Sequence, residues 1–163
     1  MKKLLHGLDE YLEEVLLVIL LACMAVIMGI QVFCRYVLSM SLSWSEELTR
    51  YLFIWAGFLS ISYCTKRCIS IKIEQFVALF PKRGKALFKV INHTVELVLF
   101  FHLLPFSWRY LYLAIATGQT SPALGLPLAI VYAGPLLGLT LSIFRSLGRI
   151  VAETKIVIGK EAP

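Results

Sequence analysis

Residues 15–34 read VLLVILLACMAVIMGIQVFC, a stretch without a charged side chain. A helix rises about 1.5 Å per residue, so these residues are long enough to cross a hydrocarbon core about 30 Å thick. The stretch is longer than the apolar part of a secretory signal peptide, and no small-residue cleavage site follows it. It therefore predicts a first membrane-spanning helix that the mature protein keeps.

The composition of the whole chain agrees with several such helices. Hydrophobic residues make up 59% of the 163 residues and charged residues 16%, whereas soluble domains average about 25% charged residues. We expect an all-α integral membrane bundle of four transmembrane helices that forms a single domain over residues 1–163. The predicted spans lie at about 15–36, 44–67, 87–109 and 124–146.

A different pattern follows the second span. Apolar residues recur with the spacing of one helix face over 69–80, and Lys72, Glu74 and Gln75 occupy the opposite face. A helix with one apolar and one charged face lies in the plane of the membrane surface. The pattern predicts a short in-plane amphipathic helix at about 69–80, between spans two and three.

The positive charges indicate the orientation. Thirteen of the 16 Lys and Arg residues lie in three stretches, at residues 2–3, 66–89 and 145–160. The connections at 36–43 and 110–123 contain none. Because cytoplasmic loops are enriched in Lys and Arg, both termini and the middle connection are expected in the cytoplasm. The net charge of +6 then reflects membrane topology, and no nucleic-acid partner is predicted.

Two local signals concern the start and the bending of helices. Ser43 and Glu46 fit the capping box S-x-x-E at the start of the second span, and Trp44 beside them is typical of a membrane interface. In the fourth span, Pro135 has no N–H to donate to the carbonyl of Val131. We therefore expect a kink in that helix.

Three arginines lie outside the basic stretches. They are Arg35, Arg50 and Arg109, each expected at the outer end of a different span. Glu46 and Glu47 precede Arg50 by about one helical turn, so both can form ion pairs with it. These charges are open to two interpretations. They anchor the helices at the level of the lipid headgroups, or they form a polar surface for a partner on the outer side.

Polar and small residues mark the last two spans. His93 and Glu96 share a helix face, which fits packing contacts between helices better than a proton relay, because His102 lies on another face. Gly134 and Gly138 form a G-x-x-x-G pattern, which lets another helix approach closely. The pattern does not say whose helix packs there.

The sequence contains no motif that indicates an enzyme, a metal site or a cofactor. Its four cysteines, Cys23, Cys34, Cys64 and Cys68, match neither a C-x-x-C redox pair nor a zinc site. We expect them to pack as small apolar side chains. A Gly-rich phosphate loop and an H-E-x-x-H pattern are also missing from the sequence. We therefore expect no catalytic residue, no bound metal and no cofactor.

Two stretches carry a family resemblance. Arg35 and Tyr36 are followed by WSEELTRYLFIW at 44–55, and TSPALGLP at 120–127 is followed by Tyr132. These stretches resemble the small membrane subunit, or Q subunit, of the tripartite ATP-independent periplasmic (TRAP) transporters. The chain departs from the pattern at 70–74, where that family often has His-Ile-x-Val-Asp and this sequence reads SIKIE.

The resemblance implies a non-catalytic scaffold in the bacterial inner membrane, surrounded by membrane lipids. Its expected partners are a large membrane transport subunit and a periplasmic substrate-binding protein, and the process is sodium-driven uptake of a carboxylate. The spans around the two glycines would pack against the large subunit, and the outer charges would lie near the docked binding protein. The partner-binding residues are expected to be Arg35, Trp44, Glu46, Glu47, Arg50, Arg109, Gly134 and Gly138.

Two other functions stay open on the sequence alone. One is a self-sufficient small proton-coupled membrane transporter that acts as a homo-oligomer, for which Glu96 is the carboxylate nearest to mid-membrane. The other is a membrane enzyme or redox protein, which would need an obligatory disulfide or a reactive group that the motifs do not indicate. The sequence does not name the substrate.

Overall fold

A computed structural model describes residues 2–67 and 82–158 of the chain. These residues form four α-helices and no β-strand, which confirms the all-α prediction. The in-plane helix predicted at about 69–80 lies outside the described residues. The helices are α1 (Lys2–Val37), α2 (Ser43–Arg67), α3 (Lys82–Thr117) and α4 (Leu128–Ile158).

Three of the described helices contain segments long and apolar enough to cross a membrane. These segments are Glu13–Val37, Leu87–Thr117 and Leu128–Thr154. Helix α2 does not reach the same apolar length, because charged residues at both of its ends leave an uncharged stretch only at 51–65. The crossing of the membrane by α2 therefore stays a prediction.

The helix ends differ from the expected span ends. Helix α1 begins at Lys2 and runs without a break through the residues before the first apolar stretch. The third span was expected at about 87–109, and helix α3 continues beyond it to Thr117. Helix α4 was expected from about 124 but begins at Leu128. The cause lies in residues 118–127, which form a tight turn rather than the first turn of a helix.

Helix α3 ends in a glycine cap. Gly118 has a φ of 60°, in the left-handed region that glycine adopts without steric cost. Its N–H bonds to the carbonyl of Ile115 at 3.3 Å, and the N–H of Gln119 bonds to the carbonyl of Ala114 at 3.3 Å. These two bonds are those of a Schellman motif, which satisfies the last carbonyls of a helix. The position of the glycine therefore sets the end of α3.

The predicted capping box at the start of α2 does not form in the described residues. Ser43 is the first helical residue, and the side chain of Glu46 accepts a hydrogen bond from Gln31 Nε2 at 2.8 Å. The carbonyl of Leu42 is satisfied locally, because Ser45 Oγ donates to it at 2.7 Å. Glu46 is thus used between helices rather than within the first turn of α2.

The chain divides into two compact units. One contains Met1–Ser60 and Ser107–Gly138, and the other contains Ile61–Phe106 and Leu139–Pro163. The described core of the second unit contains small hydroxyl residues. Ser62, Ser142 and Ser146 have no exposed surface there, and small side chains allow close approach of membrane helices.

Helices α3 and α4 run antiparallel within the second unit. Ser146 Oγ donates to the carbonyl of His93 at 2.9 Å, and Lys89 Nζ lies 3.4 Å from Glu153 Oε1. Arg145 lies on the same part of α4 and donates to the carbonyl and the hydroxyl of Ser62 in α2, at 3.1 and 3.0 Å. Polar contacts therefore join the described parts of α2, α3 and α4 in this unit.

Candidate functional site

Glu47 lies at the centre of the polar contacts in the first unit. Its Oε1 accepts a hydrogen bond from the hydroxyl of Tyr51, one turn further along α2. Its Oε2 accepts a hydrogen bond from the backbone N–H of Ala123 at 2.8 Å. Hydrogen bonds to a carboxylate are stronger than those between neutral groups. Glu47 therefore connects the start of α2 to the turn between α3 and α4.

That turn, residues 118–127, is closed by its own hydrogen bonds. The N–H of Ser121 donates to the carbonyl of Leu126 at 2.8 Å, and the N–H of Gly125 donates to the carbonyl of Ser121 at 2.9 Å. The hydroxyl of Ser121 accepts from the N–H of Leu124 at 3.1 Å. Gly125 has a φ of 67°, which favours glycine at this position. The turn is therefore compact and defined by local geometry.

Glu46 makes the second contact between helices at this level. It is exposed, and it accepts from Gln31 of α1. Gln31 is only 6% exposed, and its Oε1 has no hydrogen-bond partner among the described residues. The lone polar side chain of the first apolar stretch thus points to the start of α2. The loop between α1 and α2 is also closed, because the N–H of Met40 bonds to the carbonyl of Cys34 at 3.1 Å.

The expected ion pairs of Arg50 are absent from the residues that the structure describes. Both carboxylates at this level are occupied by neutral donors, Gln31 for Glu46, and Tyr51 with a backbone N–H for Glu47. Arg50 is exposed instead. The prediction was wrong because helical spacing considers only partners on the same helix. Glu46 bonds instead to Gln31 of α1, and Glu47 bonds to the backbone N–H of Ala123.

The remaining outer residues of the predicted set are exposed. Arg35 lies in the last turn of α1, and Trp44 is 39% exposed at the start of α2. Arg109 is exposed on α3 but not at its end, because the helix continues to Thr117. The structure therefore leaves these cations at the surface of the first unit while both nearby carboxylates bond internally.

The G-x-x-x-G face of α4 is filled by α2 of the same chain. A Cβ added to Gly138 would lie 2.5 Å from the carbonyl oxygen of Phe58, and one added to Gly134 would lie 3.1 Å from the ring of Trp55. The indole N–H of Trp55 donates to the carbonyl of Ile130 at 3.1 Å. Because higher numbers on α2 meet higher numbers on α4, the two helices run parallel in this unit. The face is therefore already covered within the chain.

A second polar group lies on α3 in the other unit. His93 is 4% exposed, and its Nδ1 lies 3.0 Å from Glu96 Oε2. Asn92 Nδ2 donates to Glu96 Oε1 at 2.8 Å. The backbone carbonyl of His93 accepts from Ser146 of α4. This arrangement agrees with packing contacts, because every polar group named here has a partner within the unit.

The two stretches that carry the family resemblance meet at Glu47, since one contains this residue and the other contains Ala123. Tyr132, which follows the second stretch, stacks on Tyr110 of α3 with ring centroids 6.1 Å apart. A family model described as "Tripartite ATP-independent periplasmic transporters, DctQ component" matches residues 24–155. The chain belongs to this family. Its helices are those of a multi-pass small permease subunit of a TRAP transporter.

Several TRAP transporter proteins are similar to this DctQ-family chain. A small permease protein of Haemophilus influenzae is 29% identical over 132 residues, which cover 81% of this chain and 80% of the relative. The ectoine TRAP transporter small permease protein TeaB of Halomonas elongata is 32% identical over 128 residues, 78% of this chain and 66% of the relative. The isethionate TRAP transporter permease protein DctMQ of Oleidesulfovibrio alaskensis is 32% identical over 89 residues, 55% of this chain and 14% of that protein.

Sequence reasoning missed three participants in the site of this DctQ-family chain. They are Gln31, Tyr51 and the backbone N–H of Ala123. A signal existed for Gln31, because a lone amide within an apolar span seeks a hydrogen-bonding partner on another helix. Tyr51 follows Glu47 by four residues, a spacing that brings side chains together. No local pattern points to the backbone of residue 123.

Proposed function

We propose that this DctQ-family subunit is a non-catalytic scaffold of a TRAP-type secondary transporter. It packs against a large membrane transport subunit and helps to dock a periplasmic substrate-binding protein during sodium-driven uptake of a carboxylate. It spans the bacterial inner membrane four times with both termini in the cytoplasm. The hydrogen bond from Ala123 to Glu47 is the observation that carries the docking part, because it fixes the outer turn on α2.

A turn that is already ordered before binding is well suited to form part of a docking surface. Binding costs less free energy when the surface is already ordered, because fewer side chains and loops lose conformational freedom. The turn at 118–127 is closed by internal hydrogen bonds and held on α2 through Glu47. In this proposal Glu47 acts as a support of the docking surface, and the partner contacts the exposed residues around it.

The charges argue for an acidic binding partner. Arg35, Arg50 and Arg109 are exposed, whereas Glu46 and Glu47 bond within the unit. Exposed cations of this kind attract a partner with an acidic surface and raise its rate of association at low salt. Trp44 adds an exposed aromatic side chain at the same end of α2.

The relative named DctMQ supports a large membrane partner. The matched region is 14% of that permease protein, so the similar segment is part of a much longer polypeptide. A segment that is joined to a longer permease in one relative has a permanent neighbour there. We propose that the same neighbour is a separate subunit for this chain. Gly134 and Gly138 are occupied by α2, so other helix faces make that contact.

The packing of α2 supports a fourth span. Trp55 and Phe58 lie directly against Gly134 and Gly138 of α4, a helix long and apolar enough to cross a membrane. A helix that runs parallel to a spanning helix in direct contact shares its depth. Helix α2 has 25 residues, which at about 1.5 Å per residue give about 37 Å. Its uncharged central stretch and its basic end at Lys66 and Arg67 then fit a crossing from outside to inside.

The named relatives handle chemically different substrates. Three relatives have a substrate in their names, and these are an ectoine, an isethionate and a C4-dicarboxylate transporter protein. The carboxylate substrate of this proposal comes from the family resemblance, and one of these relatives is named for a C4-dicarboxylate. The proposal places substrate selection in the binding protein and the large subunit, so exchange of this chain between systems is expected to leave the substrate unchanged.

Reconstitution in liposomes tests the proposed function. We expect no sodium-dependent uptake with this chain alone, and uptake only when it is combined with the large subunit and the binding protein. Cysteine labelling from either side of the membrane tests the topology, with position 119 expected outside and position 66 inside. Uptake by this chain alone, driven by a proton gradient, would support the alternative of a self-sufficient homo-oligomer.

A further inference from the structure

The two histidines of α3 in the second unit have opposite environments. His93 is 4% exposed and bonds to Glu96. His102 is exposed, and its ring makes an edge contact with Phe106 at 5.4 Å but no hydrogen bond to any residue within 2–67 or 82–158. The ring nitrogens of His102 therefore have no hydrogen-bonding partner in the described chain.

The depth of His102 makes this arrangement costly in lipid. Along the helix it lies about 20 Å from Lys89 and about 10 Å from Arg109, at about 1.5 Å per residue. With these two charges near the two surfaces, the imidazole lies within the hydrocarbon core. Polar side chains at such depths face protein or a water-filled cavity rather than acyl chains.

A second polar group lies one turn away. Pro105 is inside α3 and has no N–H to donate to the carbonyl of Phe101. Phe101 and Pro105 are both exposed, on the same stretch of the helix as His102. In membrane helices such a freed carbonyl is satisfied by neighbouring helices, side chains or water. Two independent features therefore mark this stretch of α3 as covered.

The other exposed positions described for this unit differ from His102, because none of those named below leaves a polar side chain without a partner. Thr94 is exposed on α3, but its hydroxyl donates to the carbonyl of Val90 at 2.7 Å and so tolerates lipid. On α4 the exposed large side chains are apolar throughout the described part of the unit. They are Leu141, Phe144, Leu147 and Val151. An apolar face of this kind can contact acyl chains without leaving a polar group unsatisfied.

We infer that the stretch of α3 around His102 is covered in the membrane by a helix of the large transport subunit, which forms a hydrogen bond with the imidazole. The inference rests on the proposed function and adds to it the contact face and the chemistry of the contact. The partner helix carries a polar side chain, such as a carboxylate or an amide, at the depth of His102. The exposed face of α4 in this unit faces lipid.

The choice of occupant follows from the polar groups and the relatives. Lipid tails offer no partner to an imidazole. A second copy of this chain would bring only the same face with the same imidazole, so cross-linking to a second copy is an outcome of the test below. The longer permease relative shows that a similar segment has a membrane neighbour within one polypeptide.

Photocross-linking with matched probes tests the contact face. Phe101 and Phe144 are 56% and 70% exposed, on α3 and α4 of the same unit. Each is replaced in turn by p-benzoylphenylalanine, and membranes with the whole transporter are irradiated. We expect a cross-link to the large subunit from position 101 and none from position 144. A cross-link within the chain, to a second copy, or to the large subunit from position 144 alone would overturn the inference.

Co-purification separates this inference from the proposed function. If the unmodified chain does not purify with the large subunit, the proposed function fails and the inference with it. If it does purify and position 101 reacts only with lipid, the inference alone fails.

Variants of His102 test the hydrogen bond. We expect His102→Leu to weaken the association with the large subunit about three- to tenfold, as for the loss of one interhelical hydrogen bond in a membrane. His102→Gln keeps a donor and an acceptor and is expected to retain the association. Phe144→Leu is the matched control on α4. Equal association for His102→Leu and His102→Gln would overturn the role of the imidazole.

Discussion

The carboxylate of Glu47 accepts a hydrogen bond from the backbone N–H of Ala123 at 2.8 Å, across 76 residues of sequence. This bond joins the first turns of α2 to the turn between α3 and α4. The hydroxyl of Tyr51 donates to the other oxygen of the same carboxylate. Glu47 thus connects α2 to the turn at 118–127, which lies far from it in the sequence. Removal of this side chain is expected to make the turn less firmly attached to α2.

Substitution of Glu47 tests that release. We expect Glu47→Ala to make the turn at 118–127 more sensitive to limited proteolysis and to lower the midpoint of thermal unfolding, because the N–H of Ala123 loses its partner. Tyr51→Phe removes one of the two bonds and is expected to have a smaller effect. Gln119→Ala lies in the same turn and is the control. Equal protease sensitivity of Glu47→Ala and Gln119→Ala would contradict the supporting role of Glu47.

Gly138 and Gly148 form a matched pair on α4. A Cβ at Gly138 would lie 2.5 Å from the backbone of Phe58, whereas one at Gly148 meets nothing within 4 Å. We expect Gly138→Ala to lower the free energy of unfolding in detergent by about 1–3 kcal/mol, because the backbones of α2 and α4 must separate. Gly148→Ala is expected to leave it unchanged or slightly raised. Similar stability of the two variants would show that α2 does not pack here.

Gln31 offers a test of polar contacts between α1 and α2. Gln31→Leu removes the hydrogen bond to Glu46, but it also removes a buried oxygen without a partner. We expect a change in unfolding free energy of less than about 1 kcal/mol. Gln31→Glu is expected to be clearly destabilising, because two carboxylates would then meet. Thermal unfolding of both variants checks the sign, and a larger loss for leucine than for glutamate would refute this account.

Arg50 tests the docking surface. We expect Arg50→Glu to weaken binding of the purified binding protein to the reconstituted transporter about five- to tenfold at low ionic strength. The difference is expected to shrink in high salt, because mobile ions screen exposed charges. Arg50→Gln removes the charge without reversing it, so its affinity for the binding protein is expected to lie between those of the unmodified chain and Arg50→Glu. Unchanged binding and uptake for both variants would leave the arginine with an anchoring role at the headgroups.

Glu96 distinguishes the scaffold from the proton-coupled alternative. Glu96 accepts a hydrogen bond from Asn92 and contacts His93 on its own helix. We therefore expect Glu96→Gln to keep uptake by the whole transporter within about twofold of the unmodified level. Glu153→Gln is the comparison variant. Complete loss of uptake by Glu96→Gln with normal assembly would instead favour a coupling role.

The sequence predicted the helices well where apolar stretches are long, as at 15–34, and less well where one charge interrupts them. Arg109 was taken as the outer end of the third span, and the helix itself continues past this exposed arginine to the glycine cap at Gly118. The capping box and the Arg50 ion pairs failed for a common reason. Both predictions used spacing within one helix, while Glu46 and Glu47 bond to distant elements.

The G-x-x-x-G pattern predicted that another helix packs closely against α4, but it did not identify that helix. Gly134 and Gly138 do mark a face that another helix approaches closely, and that helix is α2. Small residues create space without selecting which ring or backbone fills it. The pairing of Trp55 with Gly134 depends on the relative depth of two helices, which local sequence does not encode.

The continuation of α3 beyond Arg109 has a consequence for how a soluble protein meets this subunit. About eight further residues reach Thr117, which adds about 12 Å of helix. If Arg109 lies at the lipid phosphates, as the proposed topology has it, the turn that begins at Gly118 extends beyond the headgroup layer. In the proposed assembly a protein that binds this turn would lie at a distance from the bilayer. We therefore expect lipid composition to alter its binding less than changes in the turn itself do.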